Sequence, residues 1–450
     1  MFNFTMTFNK SEKLYIQLYN YIAAEIRSGR IAEGERMPSK KALASHLRLS
    51  VNTVETAYSI LVQEGFLKSV PRSGYYARRL QSKTQISPRF NIPEKHTPEF
   101  DYDFSISAQD PDAFPSQTWI KLSKEVMYEN PSLLRAGEFS GDIELRCAIA
   151  KYLYEFRGVS CEPNQIVVGA GMEYLLMLLT RILPEGSIYA VENPGYRKTH
   201  DIFANTGGRI EYIGLDNEGM ITEELSYSGA NIAYITPSHQ FPTGIIMSAD
   251  RRYKLLEWAY SAKNRYIIED DYNNEFNYSI KPVPAMQGMD LHERVIYMST
   301  FSRTLAPSIR IAYMVLPSSL AEPFFTLYGR FSPTVPRFEQ HTLERFITGG
   351  WLERHLNRTR LLYRKRRDAL IELLNSSNID FEISGEKSGI QLLAKTNAAA
   401  EIRKRAFENR IKLSYISDFY FTDKQDNALI IGYARADEAA LKRFNEILIK

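Results

Sequence analysis

Two apolar β-runs, Ile296-Tyr297-Met298-Ser299-Thr300 and Ile311-Ala312-Tyr313-Met314-Val315-Leu316, flank a hydroxyl-rich turn that carries Ser302, Arg303, Thr304, Ser308 and Arg310. Runs this short and this apolar read as buried strands. From Asp101 onward such runs alternate with helical patterns, which predicts an α/β body built on a mostly parallel sheet. A chain of 450 residues leaves room for about two to three domains.

Ahead of that body, Leu14, Leu18, Ile22 and Ile26 recur at every fourth position, predicting an amphipathic helix over residues 12–28 that stops at Gly29. Ser39 supplies an N-cap for a short helix over residues 40–47, with Ala42, Leu43 and Leu47 inward. Ser50 caps a third helix whose apolar face is Val51, Val54, Tyr58 and Leu61, closed by Gly65. Residues 66–77 alternate around Pro71-Arg72-Ser73-Gly74, the pattern of a β-hairpin. Three short helices and a hairpin make a winged helix-turn-helix.

Charge sets this head apart. Residues 1–80 hold twelve Lys and Arg against six acids, in a chain whose net charge is only +3. A basic head on a mildly acidic body points to a polyanion partner for the head alone. Residues 79–100 have linker composition, polar and stiffened by Pro88, Pro93 and Pro98. The expected domains are therefore 11–78, a linker at 79–100, and 101–450. Residues 1–10 lack the apolar core of a secretory signal, and no apolar run approaches the roughly 18 residues of a membrane span. With Cys147 and Cys161 as its only cysteines, the chain suits a reducing cytoplasm.

Four more segments of the body carry polar groups just past an apolar run. Residues 166–171 end in Gly169-Ala170-Gly171 before the apolar helix that starts at Met172, a turn whose free N–H groups suit an anion such as a phosphate. Glycine is also common at ordinary α/β connections. Tyr196 follows Asn193-Pro194-Gly195, and by itself reads as packing. Residues 232–244 end in Pro237-Ser238-His239-Gln240-Phe241-Pro242-Thr243-Gly244. Residues 266–272 end in Glu269-Asp270-Asp271-Tyr272, acids that at a strand end are usually solvated or metal-bound. The seven histidines do not complete a ligand set, so no metal site is expected.

The head, through Gly34-Glu35-Arg36-Met37-Pro38-Ser39, Ser50-Val51-Asn52-Thr53-Val54 and Glu64-Gly65-Phe66-Leu67, resembles the DNA-binding domain of GntR-type regulators. Its third helix presents Asn52, Thr53 and Thr56 opposite the apolar stripe, toward base edges. Lys40, Lys41 and Arg72 suit phosphates, and Ser39 and Ser73 complete the DNA-facing set. Val51 stands where these regulators often have arginine. A basic three-helix domain that docks on a protein is the alternative.

Taken in order, the body's segments resemble a fold-type-I aminotransferase that binds pyridoxal 5'-phosphate (PLP). With the winged helix in front, the chain resembles the MocR subfamily of GntR-type regulators over residues 11–78 and 101–450. That likeness implies a large mixed sheet, a small C-terminal subdomain, and a role for each residue. Ala170, Gly171 and Met172 would cradle the phosphate, with Thr300, Ser302 and Arg310. Tyr196 would stack on the ring, Asp270 would pair with its nitrogen, and Tyr272 would meet its phenolic oxygen. His239 or Gln240 would replace the asparagine of the usual Asn-Pro-Thr-Gly, spelled here Phe241-Pro242-Thr243-Gly244. Residues 139–142 resemble the loop that approaches a partner subunit's cofactor. Lys198 and Arg435 would meet an effector, Arg435 as the grip on a carboxylate.

The family's lysine position holds Arg303. A neutral amine there would attack the cofactor aldehyde and shuttle protons, whereas a guanidinium stays protonated and is a poor nucleophile. Efficient transamination is therefore not expected, and PLP would bind without a covalent link, Arg303 itself donating to its oxygens. The alternatives are a pocket turned to another anionic or amine ligand, a body that only dimerises, and an aminotransferase with an accessory head. Lys198 and Lys281 lie outside the matching loop. The cluster of arginines in residues 351–374 reads as a solvated helix face, with a second nucleic-acid surface as the rival. The resemblance implies a cytoplasmic homodimer that binds double-stranded operator DNA at paired half-sites and senses PLP, an amine or an amino acid.

Overall fold

Ser39 and Ser50, both in extended backbone, start two of the three helices of the head in the computed structural model of this chain. Ser39 accepts from the Ala42 amide at 3.2 Å and Ser50 from the Thr53 amide at 3.1 Å, each satisfying a donor that the first turn leaves free. The structure describes residues 6, 8, 12–78, 99–278, 284–422 and 426–449. The expected linker lies outside them except for residues 99 and 100, and so does Lys281. Contacts divide the chain into Met1–Thr97 and Pro98–Lys450.

The first unit holds α1 (Leu14–Arg27), α2 (Lys40–Leu47), α3 (Val51–Gln63) and the antiparallel hairpin β1 (Leu67–Val70) with β2 (Gly74–Ala77). Leu18, Ile22, Leu43, Val54, Tyr58 and Leu61 form one core. Three residues expected inward are exposed instead: Leu14, Ala42 and Val51. Each lies in the first turn of its helix, beyond the reach of the facing helices. Ala44 and Ala57 take up the core, because small side chains let α1, α2 and α3 approach closely.

The second unit has two sheets. Its strands are β3 (Tyr102–Phe104), β4 (Ile166–Gly169), β5 (Ile188–Asn193), β6 (Arg209–Asp216), β7 (Gly219–Met220), β8 (Ile232–Ile235), β9 (Tyr266–Asp270), β10 (Val295–Thr300), β11 (Ala312–Val315), β12 (Glu382–Ser384), β13 (Gln391–Lys395), β14 (Ile411–Tyr415) and β15 (Ala428–Gly432). The large sheet runs β4-β11-β10-β9-β8-β5-β6-β7, with β11 antiparallel to both its neighbours and β7 antiparallel to β6. The small sheet runs β12-β13-β15-β14-β3. This is the mixed-sheet α/β body with a smaller subdomain that the sequence predicts. Strands β4, β8, β9 and β10 are buried along their whole length, which is why they read as unbroken apolar runs.

The first four helices of this unit are α4 (Ser116–Glu129), α5 (Ile143–Arg157), α6 (Met172–Leu179) and α7 (Arg197–Asn205), of which α6 and α7 border the site. Although early in the sequence, β3 is the edge strand of the small sheet. Phe104 is fully buried there against Phe444, ring centroids 4.9 Å apart. Burying one such side chain stabilises by about 1.5–3 kcal/mol. That anchor fixes where residues 105–109 begin their course beside the large sheet.

The arginine-rich helix Trp351–Ser376 is neither a bare solvated face nor a free basic surface. Arg358 donates to the Ala113 carbonyl at 2.6 Å, Arg360 to Glu275 at 3.0 Å and Arg367 to Glu386 at 3.0 Å. Arg366 pairs with Asp110 at 2.7 Å. The guanidiniums tie distant loops to the helix, contacts that only the tertiary fold supplies. Among the described residues no helix is long and apolar enough to cross a membrane. Cys147 and Cys161 are free thiols.

Candidate functional site

Strands β5, β8, β9 and β10 run parallel and end at one edge of the large sheet. The chain just past those ends surrounds a cavity of about 230 Å³. Tyr196, Phe241, Asp270, Tyr272, Thr300, Ser302, Arg303 and Arg310 line it, with Met172, Glu173 and Lys198 from the α6 and α7 side.

The period of two along a strand separates the three successive acids at the end of β9. Glu269 turns one way and accepts the Met286 and Gln287 amides at 2.8 and 2.9 Å. Asp271 turns the same way and takes Arg157 at 2.8 Å and the Tyr297 hydroxyl at 2.6 Å. Both are buried, not solvated as acids at a strand end usually are. Asp270 alone faces the cavity. Its Oδ2 accepts from the Tyr234 hydroxyl, while Oδ1 has no hydrogen-bond partner among the described residues. Burial pushes its carboxyl up to about 7, against the pull of Tyr234 and with a further push from Asp271.

The hydroxyl of Tyr272, also buried, makes no well-formed hydrogen bond and interacts weakly with the Gln391 side chain. Tyr196 immediately precedes α7 and meets Phe241 edge-on, centroids 5.0 Å apart at 67°. Phe241 thus fills a cavity wall where a hydrogen-bonding asparagine was expected to have a substitute. Neither proposed substitute reaches the cavity. Gln240 is spent on its own turn, donating to Pro194 at 3.1 Å and accepting from the Thr243 hydroxyl at 2.6 Å. His239 points at the small subdomain, its Nδ1 2.8 Å from Ser388 Oγ. Burial, with Arg303 nearby, lowers its pKa to about 3, so its ring is neutral. His239, expected at the cofactor, is not one of the residues lining the cavity and sits behind Tyr272, ring centroids 5.9 Å apart.

Arg303 lies in a short helical turn, Phe301–Thr304, capped by Thr300. Its guanidinium donates to the Ile106 carbonyl at 2.9 Å, and Gln109 returns a bond to the Ser302 carbonyl at 3.0 Å. Residue 303 therefore holds the segment that follows β3. Burial lowers its pKa, with Tyr272 and Tyr196 acting in opposition. The Ser302 hydroxyl has no partner among the described residues, while the Thr300 hydroxyl is used by the Ser302 amide at 3.1 Å and the Ile311 carbonyl at 3.2 Å.

The expected phosphate cradle is largely occupied. The Ala170 amide donates to Thr334 at 3.0 Å, and the Gly171 amide to the Gly169 carbonyl at 2.8 Å. Arg310, at φ 53°, pairs with Glu173 at 2.9 Å, and Lys198 pairs with the same carboxylate at 3.0 Å. Glu173 was not anticipated. An acid in a first helical turn is ordinary, and nothing local marks its partners 25 and 137 residues away. Arg435 is exposed and is not one of the residues lining the cavity. Phe139 is buried among Phe324, Tyr328 and Phe331. Asp270 and Tyr272 thus offer the cavity atoms that the ring of a PLP-like molecule would complete, while Glu173 engages Arg310, expected at its phosphate, and Lys198.

On the head, Asn52, Lys41 and Arg72 are exposed. Other members of the DNA-facing set are engaged internally: Lys40 with Glu55 at 2.5 Å, the Thr53 hydroxyl with Ser50 at 2.7 Å, Thr56 with the Asn52 carbonyl at 2.9 Å, and Ser73 with Tyr76 at 2.6 Å.

Residues 14–76 match the family model of bacterial regulatory proteins, gntR family, and residues 103–448 match aminotransferase class I and II. The chain is 37% identical over 444 residues to an uncharacterized HTH-type transcriptional regulator, YdeL, of Bacillus subtilis (strain 168), covering 95% of this chain and 94% of that one. It is 31% identical over 453 residues to the probable rhizopine catabolism regulatory protein MocR of Rhizobium meliloti, covering 95% and 92%. Among solved structures, the kynurenine aminotransferase of Pyrococcus horikoshii in complex with PMP superposes with a TM-score of 0.68 at 26% identity, covering 78% of this chain and 91% of that one.

Proposed function

Because the chain belongs to the MocR-type regulators, a gntR-family head joined to a class I and II aminotransferase body, we propose that it senses rather than catalyses: the head binds double-stranded operator DNA, and the body binds PLP, or a related small ligand, without a covalent link. The observation that carries this reading is Arg303, at the position of the family's lysine and hydrogen-bonded to the Ile106 carbonyl at 2.9 Å. When bound to such folds, PLP supplies an electron-withdrawing ring to an amine held on its aldehyde.

Here the chain's own groups bind and orient. The Asp270 carboxylate accepts a proton-bearing ring nitrogen, the Tyr272 hydroxyl meets a phenolic oxygen, and Tyr196 and Phe241 exclude water from the ring's faces. Arg303 keeps its proton at any pH the protein meets, so it orients a ligand and takes no proton from it. A ligand that favours one position of residues 105–109 would shift the balance between two arrangements of a homodimer and so alter its grip on paired half-sites. An aminotransferase with an accessory head needs an amine at residue 303.

The test is a titration of the purified chain with PLP and with pyridoxamine, read by absorbance and melting temperature together. Ligand-dependent stabilisation with no borohydride-trapped adduct is the expected result. A trapped adduct, or steady transamination between an amino acid and a keto acid, overturns it.

A further inference from the structure

Glu173 divides the cavity into two chemically opposite ends. On the α6 side its Oε2 lies 2.9 Å from Arg310 and its Oε1 3.0 Å from Lys198. Burial alone raises this carboxyl, but Arg310, its own backbone amide and Lys198 outweigh that and hold it at about 2. It is a carboxylate at every physiological pH, and this one anion of the chain engages both cations of that end, leaving a single positive charge over. The nearby amides of Ala170 and Gly171 are bonded as well, to Thr334 and to the Gly169 carbonyl. At the other end the reverse holds. Asp270 Oδ1 and the Tyr272 hydroxyl belong to residues only 7% and 9% exposed; the first has no partner among the described residues, and the second has no more than a weak interaction with the Gln391 side chain. Buried polar atoms left unpaired cost free energy unless a ligand completes them.

We propose that Glu173 is a resident occupant of the anion seat, so that the cavity takes a phosphate-free nitrogen heterocycle, a pyridine-type ring with a protonatable nitrogen, in preference to its phosphate ester. This rests on the ring-binding reading above and adds the ligand class. A phosphate monoester brings a charge of about −1.5 to −2. To be held by these cations it must compete with Glu173 for Arg310 and Lys198, weakening that carboxylate's pairing in a part-buried place. A hydroxymethyl group in the same position needs only the Ser302 hydroxyl, which is unpartnered.

The experiment is calorimetric titration of the full chain and of Glu173→Gln with pyridoxamine, pyridoxamine phosphate and inorganic phosphate. None of these carries an aldehyde, so lysine chemistry does not intrude. The wild-type chain is expected to bind pyridoxamine at least as tightly as its phosphate. Glu173→Gln is expected to improve the phosphate ester by about tenfold or more relative to pyridoxamine. Glu173→Ala should move the ratio in the same direction. A wild-type preference of about tenfold for the phosphate ester, or a ratio that neither variant changes, overturns the proposal. If no ring compound binds any of the chains, the ring-binding reading falls and inorganic phosphate decides the seat alone. Phosphate binding by Glu173→Gln and not by wild type upholds the proposal; equal binding, or none by both, overturns it.

Discussion

The Arg303 guanidinium donates to the Ile106 carbonyl at 2.9 Å, across 197 residues of sequence. Ile106 lies two residues past β3, the edge strand of the small sheet, and Ser107 and Gln109 of the same segment line the cavity. Residue 303, which the proposed function equates with the amine-bearing position of an enzyme, is here a brace for the body's first segment. A ligand that draws on the guanidinium competes with that brace.

Arg303→Lys introduces an amine at the one position where the fold would present it to a ring aldehyde. Incubated with PLP or pyridoxal and reduced with borohydride, this variant should gain one covalent adduct at residue 303, read by peptide mass spectrometry. The wild-type chain should show none there. Arg303→Ala should lower stability by about 1–3 kcal/mol, because it leaves the Ile106 carbonyl unpaired.

Asp270 makes stability fall as pH rises. Its folded pKa of about 7 lies above an unfolded value of about 3.9. Between those two values the unfolded chain has released this proton and the folded chain has kept it, so folding loses ground across that window and levels off above it. Asp270→Asn keeps an acceptor for Tyr234 and abolishes the titration. Its melting temperature relative to wild type should rise from pH 5 to pH 8, by the equivalent of about 1–3 kcal/mol, and binding of a protonated ring should weaken. Glu192 and Glu275 are raised for the same reason, so the difference between variant and wild type, rather than either profile alone, isolates Asp270.

Lys40 and Lys41 are neighbours with different expected effects. Lys40 is paired with Glu55 at 2.5 Å, whereas Lys41 is exposed. On duplex DNA selected by binding from a random pool, Lys41→Ala should flatten the logarithmic salt dependence by about one unit. Lys40→Ala should do so less. Asn52→Ala should cost about 1–3 kcal/mol on the selected sequence and little on random duplex, measured by anisotropy.

Gly171 has φ 103°, and a Cβ added there would run into the Arg310 guanidinium. Gly171→Ala should therefore destabilise the body by about 1–3 kcal/mol through backbone strain, more if Arg310 is driven off Glu173. Denaturant unfolding measures the first effect. A rise in the pKa of Glu173, followed by carboxyl NMR, measures the second, since Arg310 helps hold it down.

Much of the architecture was legible because its signals are local. Capping serines, the glycine that ends a helix, the hairpin turn and unbroken apolar runs each act within a few residues. The same locality explains the misplaced positions. Periodicity put Leu14, Ala42 and Val51 on inward faces, but first-turn residues reach the core only if a neighbouring element extends that far.

The amino-acid sequence by itself determined the order of strands and helices, and it determined the chemistry available at residue 303. A guanidinium is no nucleophile whatever fold surrounds it. Only the tertiary structure decided which polar groups remain free. It turned Asp270 into the cavity and its two neighbours away, sent His239 toward Ser388, and set Glu173 between Arg310 and Lys198. Those outcomes depend on partners brought together from distant parts of the chain. An ion pair or an orphaned hydroxyl is a property of two or more segments in space, and no single segment encodes it.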